Sequence, residues 1–247
     1  MSLTTISAAS DRDSWTITAE RALRRLAVVT WAGALLGLLV GGVGSRLAMM
    51  LLARLNPEVA GVTSDDGFTM GQLTRDTLDL LATTTLLGVI GGGIYFVLRG
   101  LMIGPRWFQI LSISVGPAVF VCIMIVTVDG VDFTLDPVWL AILMFVAIPC
   151  AYAALLTVVA ERWLKPAGRF MTAPLWLALV PLVIWVPIFP VLGVLLAGLV
   201  VFEGVRRTRE GEVVLSHPAL AWLARAALGV IFALSLADLI QDTATLV

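Results

Sequence analysis

Histidine and lysine each occur once in this 247-residue chain, at His217 and Lys165, and cysteine occurs twice, at Cys122 and Cys150. A single histidine excludes bis-histidine haem and histidine-based zinc chemistry. Lys165 belongs to a connecting loop, which leaves no intramembrane lysine for a Schiff base of the retinal kind. Both cysteines interrupt apolar runs, so they read as small apolar fillers, with no disulfide framework or thiolate metal site expected. Charge is also scarce, at 13% of residues with a net of −1, and offers nucleic acid no basic surface. No cofactor is expected.

Apolar length is what the chain has instead. It is 60% hydrophobic with a mean hydropathy of +1.01, a composition suited to lipid as the main solvent. A helix needs about 20 apolar residues to cross about 30 Å of hydrocarbon. Runs at 26–46, 77–98, 108–128, 138–160 and 218–239 meet that length. The run 173–205 is different, because one straight helix over it would reach about 48 Å. Two prolines in Val186-Pro187-Ile188-Phe189-Pro190 predict a tight hairpin there, since they remove backbone donors and bias the preceding residues away from helix. The expected fold is an all-α polytopic transmembrane helix bundle with seven spans, six being the alternative. Residues 1–25 form a polar segment on the inside, 26–239 a single transmembrane domain, and 240–247 a short tail outside. Residues 1–20 lack an apolar run followed by a small-residue cleavage site, so no removable signal is expected, and Ser14 to Leu23 reads as a short surface helix.

The connecting segments alternate in sign. Arg12, Arg21, Arg24 and Arg25, then Arg99 and Arg106, then Arg162, Lys165 and Arg169, then Arg206, Arg207 and Arg209 fall on one side under seven spans. That side holds thirteen basic and seven acidic residues, and the opposite side three and ten, which is the pattern of a bilayer with a positive inside. Six spans would carry the Arg206 cluster outside. Trp107, Trp163, Trp176 and Trp222 are expected at inner boundaries, Trp139 and Trp185 at outer ones.

Arg46 is the most informative charge, because it interrupts an apolar run instead of ending one, and an intramembrane cation needs a partner. It lies 21 residues beyond Arg25, while Asp79 precedes Arg99 by 20, so the two are expected at one depth. Gly33, Gly37 and Gly41 repeat every four residues on the first span, as Gly88 and Gly92 do on the second, and such small faces let helix backbones approach. Gly37 and Gly88 are each nine residues inward of Arg46 and Asp79, and Gly33 and Gly92 thirteen. One antiparallel register aligns all three pairs. Asp76 lies nearly a turn from Asp79, and Asp238 near the outer end of the last span completes a candidate ligand or ion cluster of Arg46, Asp76, Asp79 and Asp238. The plainer reading is an Arg46 that snorkels to headgroups beside ordinary helix-end aspartates.

Asp65 and Asp66 are a weaker candidate cation loop, without the ligand spacing of an EF-hand and better explained by turn chemistry. His217 has no nucleophile elbow near it and reads as a helix-start or headgroup contact. Arg225 is expected to reach inner headgroups, with Glu203 as a partner. Catalytic residues are not expected.

Three functions fit this pattern. The first is binding or transport of a small solute, ion or lipid through the outer polar cluster. The second is a non-catalytic accessory or scaffold subunit, partnered by another membrane protein or by copies of itself as well as by the bilayer. The third is an enzyme acting on lipid headgroups. The simplest home for a chain with inside-positive loops is a bacterial cytoplasmic membrane.

Overall fold

A computed structural model describes residues 3–64, 67–125, 135–166, 168–208, 212–213, 215 and 217–246. The described chain is helical, without strands. Helix α1 (Leu3–Leu36) runs through a π-helical stretch (Gly37–Val43) into α2 (Gly44–Leu55), and α3 (Asp76–Leu98), α4 (Arg106–Ile125) and α5 (Val138–Trp163) follow. After α6 (Arg169–Thr172), α7 (Leu175–Leu179) continues as a 3-10 stretch (Val180–Ile188) into α8 (Phe189–Arg207), and α9 (Pro218–Leu246) ends the chain. Asn56 and Pro57 terminate α2, as a residue outside helical geometry followed by proline must.

Six of these stretches are long and apolar enough to cross a membrane: Trp15–Leu55, Asp76–Leu101, Arg106–Ile123, Val138–Trp163, Leu175–Arg207 and Pro218–Thr245. The chain is an all-helical protein of the integral membrane type. Its side chains are arranged accordingly, with Leu35, Leu39, Val43, Leu47, Leu51 and Leu55 exposed at four-residue spacing along α1 and α2. The glycines face inward. A Cβ built on Gly37 would lie 2.9 Å from the Gly88 Cα, one on Gly88 would lie 2.7 Å from the Gly37 Cα, and one on Gly33 would meet the Gly88 carbonyl and lie 3.4 Å from the Gly92 Cα. Gly41 faces Thr84 in the same seam. With no side chains between them, α1 and α3 pack backbone to backbone, gaining dispersion contact where lipid supplies no hydrophobic drive.

Around that seam the helices follow the order α3, α1, α5, α4, α9, each packed on its neighbour. Leu26, Val29, Ala32, Val89, Leu156 and Trp185 lie in the main buried cluster. A smaller cluster joins α9 to α4 through Leu239, Val119 and Cys122.

From Leu175 to Arg207 the chain is one run of helical residues with a sharp bend, Ile188 leaving helical geometry at φ −117°, ψ 32°. Its two limbs run in opposite directions along α1. At the start, the Arg24 guanidinium donates to the Ala173 carbonyl at 2.6 Å, and further on Trp185 Nε1 donates to Thr30 Oγ1 at 2.8 Å. Beyond the bend, Leu195 shares the Gly93 surface with Trp185, and Arg207 returns to donate to Thr18 Oγ1 at 3.2 Å and to stack 3.9 Å over the Trp15 ring. Trp185, expected at an outer boundary, is instead fully buried, because its indole N–H finds in Thr30 the partner that burial of a tryptophan requires.

Candidate functional site

Arg46 lies in the first turn of α2, just past the π-helical stretch, and is 4% exposed. One terminal nitrogen of its guanidinium donates to the Thr69 carbonyl at 2.8 Å and lies 3.8 Å from the Met49 sulfur. Nε and the other terminal nitrogen are buried with no hydrogen-bond partner among the described residues. The side chain is enclosed, so it does not snorkel to a surface. Leu47, Leu51 and Leu55 beyond it are exposed and apolar, which sets the cation about 13 Å inside the end of the apolar stripe. A buried charge left half unsatisfied costs several kcal/mol.

The turn over Arg46 is built by the chain between α2 and α3. Gly61 N–H donates to the Met70 carbonyl, Met70 N–H to Val62 and Ser64 N–H to Phe68, each at 2.9 Å. Gly67 supports the reversal at φ +84°, a region that favours glycine. Met70 is fully buried and plugs the turn into Leu52, Leu135 and Ala141. Asp76 holds its other edge, accepting from Thr69 Oγ1 at 2.8 Å and Thr74 Oγ1 at 3.2 Å. Thr69 therefore joins the two charges, its carbonyl on Arg46 and its hydroxyl on Asp76. Asn56 ties the same end together: its amide donates to the Asp136 carbonyl at 2.7 Å and accepts from the Asp136 N–H at 3.1 Å.

The remaining sequence candidates separate. Asp79 is exposed one turn along α3 and makes no ion pair with Arg46 among the described residues. Asp238 is exposed on α9, which packs on α4 at the other end of the helix order, away from Arg46. Asp65 and Asp66, with Asp129 and Asp132 of the acidic loop before α5, lie outside the described residues. Among the described residues, no group of three His, Cys, Asp or Glu side chains is placed to hold a metal ion.

No protein-family model, curated protein or solved structure matches the chain.

The opposite, basic end carries a second polar cluster that sequence reasoning passed over. Tyr95 donates to Glu161 Oε1 at 2.8 Å, and Arg99 grips the same carboxylate with two nitrogens, one on Oε1 and one on Oε2 at 3.0 Å. Tyr152 donates to the Gly88 carbonyl at 2.6 Å. Both tyrosines of the chain thus tie α3 to α5. The available signal was Tyr95 and Arg99 four apart on one helix face, but nothing in the sequence pairs that face with Glu161. Glu203 is taken by Arg206 and Arg207 at 2.8–3.1 Å and not by Arg225, which donates to the Leu101 carbonyl at 2.9 Å. His217 accepts the Ala219 N–H at 3.2 Å, at the start of α9.

Proposed function

We propose that this chain is a membrane-embedded binding protein that captures an anionic group, the carboxylate or phosphate of a small solute or a lipid, on Arg46 beneath the 61–70 turn. The observation that carries this reading is the buried guanidinium with two unpartnered nitrogens. An Arg fork matches carboxylate and phosphate oxygens in geometry as well as charge. Thr69, Asp76 and the Met70 plug form the removable cover, and Asp79 contributes to the acidic face around it. The alternating charges support an orientation with the Arg24 and Arg99 end inside and the Arg46 end outside.

The test is thermal unfolding of the lipid-reconstituted protein in phosphate, sulfate, acetate and chloride at matched ionic strength. A ligand present at a hundred times its Kd stabilises by about 2.7 kcal/mol, so one anion should raise the midpoint well above the chloride control. Arg46→Met should abolish that rise while leaving the midpoint in chloride unchanged or higher, because replacing an orphan buried charge with an apolar side chain removes a desolvation cost. No anion effect on the native protein would refute binding. A collapse of Arg46→Met in chloride would make Arg46 structural.

A second reading, an accessory subunit, is favoured by helix glycines with open surroundings. A Cβ on Gly116, Gly193, Gly198 or Gly229 would meet nothing within 4 Å, whereas the α1–α3 seam uses the same small-residue chemistry to join helices. Native mass spectrometry from membrane patches separates the two readings by whether a stoichiometric protein partner accompanies the chain.

A further inference from the structure

The apolar run 173–207 satisfies the length of one crossing by composition and the charge pattern of two; the contacts at its ends are those of a hairpin, and the depth of its bend decides whether the limbs cross the bilayer. Both of its ends lie at the basic end of α1. Ala173 meets Arg24, and Arg207 meets Thr18 and Trp15. The returning limb from Leu195 to Arg207 covers about 18 Å at 1.5 Å per residue, which equals the rise of α1 from Thr18 to Thr30. Leu195 and Trp185 share Gly93, and Trp185 reaches Thr30, so the limbs are level there. Phe189 lies six residues beyond Leu195, about 9 Å further in. That places the bend opposite the end of α1, about 16 Å from Arg25 and near half the thickness of a hydrocarbon layer of about 30 Å.

We propose that 173–207 is a re-entrant hairpin that enters the leaflet on the basic side, turns at Ile188 near the bilayer midplane and leaves on the side it entered. The inference rests on the reading of the chain as a membrane protein but not on anion binding. Its occupant surface is lipid. No charged residue falls between Arg169 and Glu203, and Trp176, Val183, Val186, Phe189, Val194 and Val201 are exposed on the two limbs. Arg162 and Lys165 precede the first limb and Arg206 and Arg207 end the second, so both ends carry the charge of the basic side, Arg207 lying level with Thr18, about 10 Å outside Arg25. At its foot an open cleft of about 360 Å³ is lined by Glu20, Arg21, Arg24 and Arg25 together with Leu164 and Met171, a mixture of charged and apolar groups suited to headgroup depth. Pro187 and Pro190 leave the tip with fewer backbone donors to satisfy in lipid, and Trp185 beside it is buried against α1. The hairpin leaves the Arg206 cluster on the basic side and α9 crossing outward, so it reproduces the charge alternation with five full crossings.

Single cysteines in a Cys122→Ala, Cys150→Ala background test this with a membrane-impermeant maleimide on right-side-out and inverted vesicles. Glu58→Cys and Lys165→Cys mark the two sides. Thr172→Cys and Thr208→Cys should both label with Lys165→Cys. Val186→Cys should label from neither side and react only with a lipid-soluble maleimide, with Val183→Cys as its substitute if it does not fold. Labelling of Thr172→Cys and Thr208→Cys from opposite sides would establish one crossing and overturn the hairpin. Labelling of Val186→Cys with Glu58→Cys would establish two full crossings and overturn it equally. If Glu58→Cys and Lys165→Cys label from the same side, the membrane reading itself fails.

Discussion

Single atoms decide the α1–α3 seam. At Gly37 and Gly88 the nearest neighbours of an added Cβ are backbone atoms, which cannot rotate aside as a side chain can. Gly88→Leu is expected to force the helices apart and to cost at least the 1–3 kcal/mol of ordinary overpacking, read as a lowered unfolding midpoint in a denaturing-detergent titration. Gly193→Ala, with nothing within 4 Å of its Cβ, is the control and should leave the midpoint unchanged. A seam that accepts Gly88→Leu without loss would show that the two backbones are not in contact. The four-residue glycine spacing is readable in sequence because it depends only on helix period. The partners of Arg46 are not, because Thr69 lies 23 residues away across a turn whose path depends on Met70 finding a cavity.

Helices are joined by a few polar ties placed at their ends. Tyr95 on α3 and Arg99 just beyond its end converge on Glu161, so replacing the carboxylate by an amide leaves one uncharged acceptor oxygen for three donors and turns an NH2 group toward the guanidinium. Glu161→Gln is expected to destabilise the α3–α5 contact by about 1–3 kcal/mol, the range for hydrogen bonds to charged groups. A double-mutant cycle with Arg99→Gln checks it, since a coupling near zero would show that the two side chains do not act together. The bend in 173–207 was legible as an element, because Pro187 and Pro190 disfavour regular helix wherever they fall. Its depth was not, since that is fixed by Trp185 on Thr30 and Arg207 on Trp15, contacts 155 and 192 residues apart in sequence.

Across the molecule, packing is uneven. α9 touches the rest mainly through α4, by Leu239 against Val119 and Cys122, and much of its length is exposed. A chain ending at residue 216 is therefore expected to keep the α1–α3 seam and the anion response at Arg46, measured by the same unfolding assay. Loss of that response on truncation would place α9 and Asp238 in the Arg46 layer after all. Counting along helices set Asp238 at that depth, and depth is one coordinate only. Position within the membrane plane is decided by which helix packs on which.

By itself the sequence determined what each segment's composition and period dictate: apolar helices of membrane-crossing length, the glycine faces, the proline break, and an arginine where apolar residues surround it. Only the tertiary structure decided that Arg46 is enclosed beneath Thr69, that Glu161 closes the basic end, that Asp238 stands apart, and that 173–207 folds back on α1. Hydropathy and spacing act along one chain axis, whereas these four outcomes depend on long-range contacts whose partners share no local pattern.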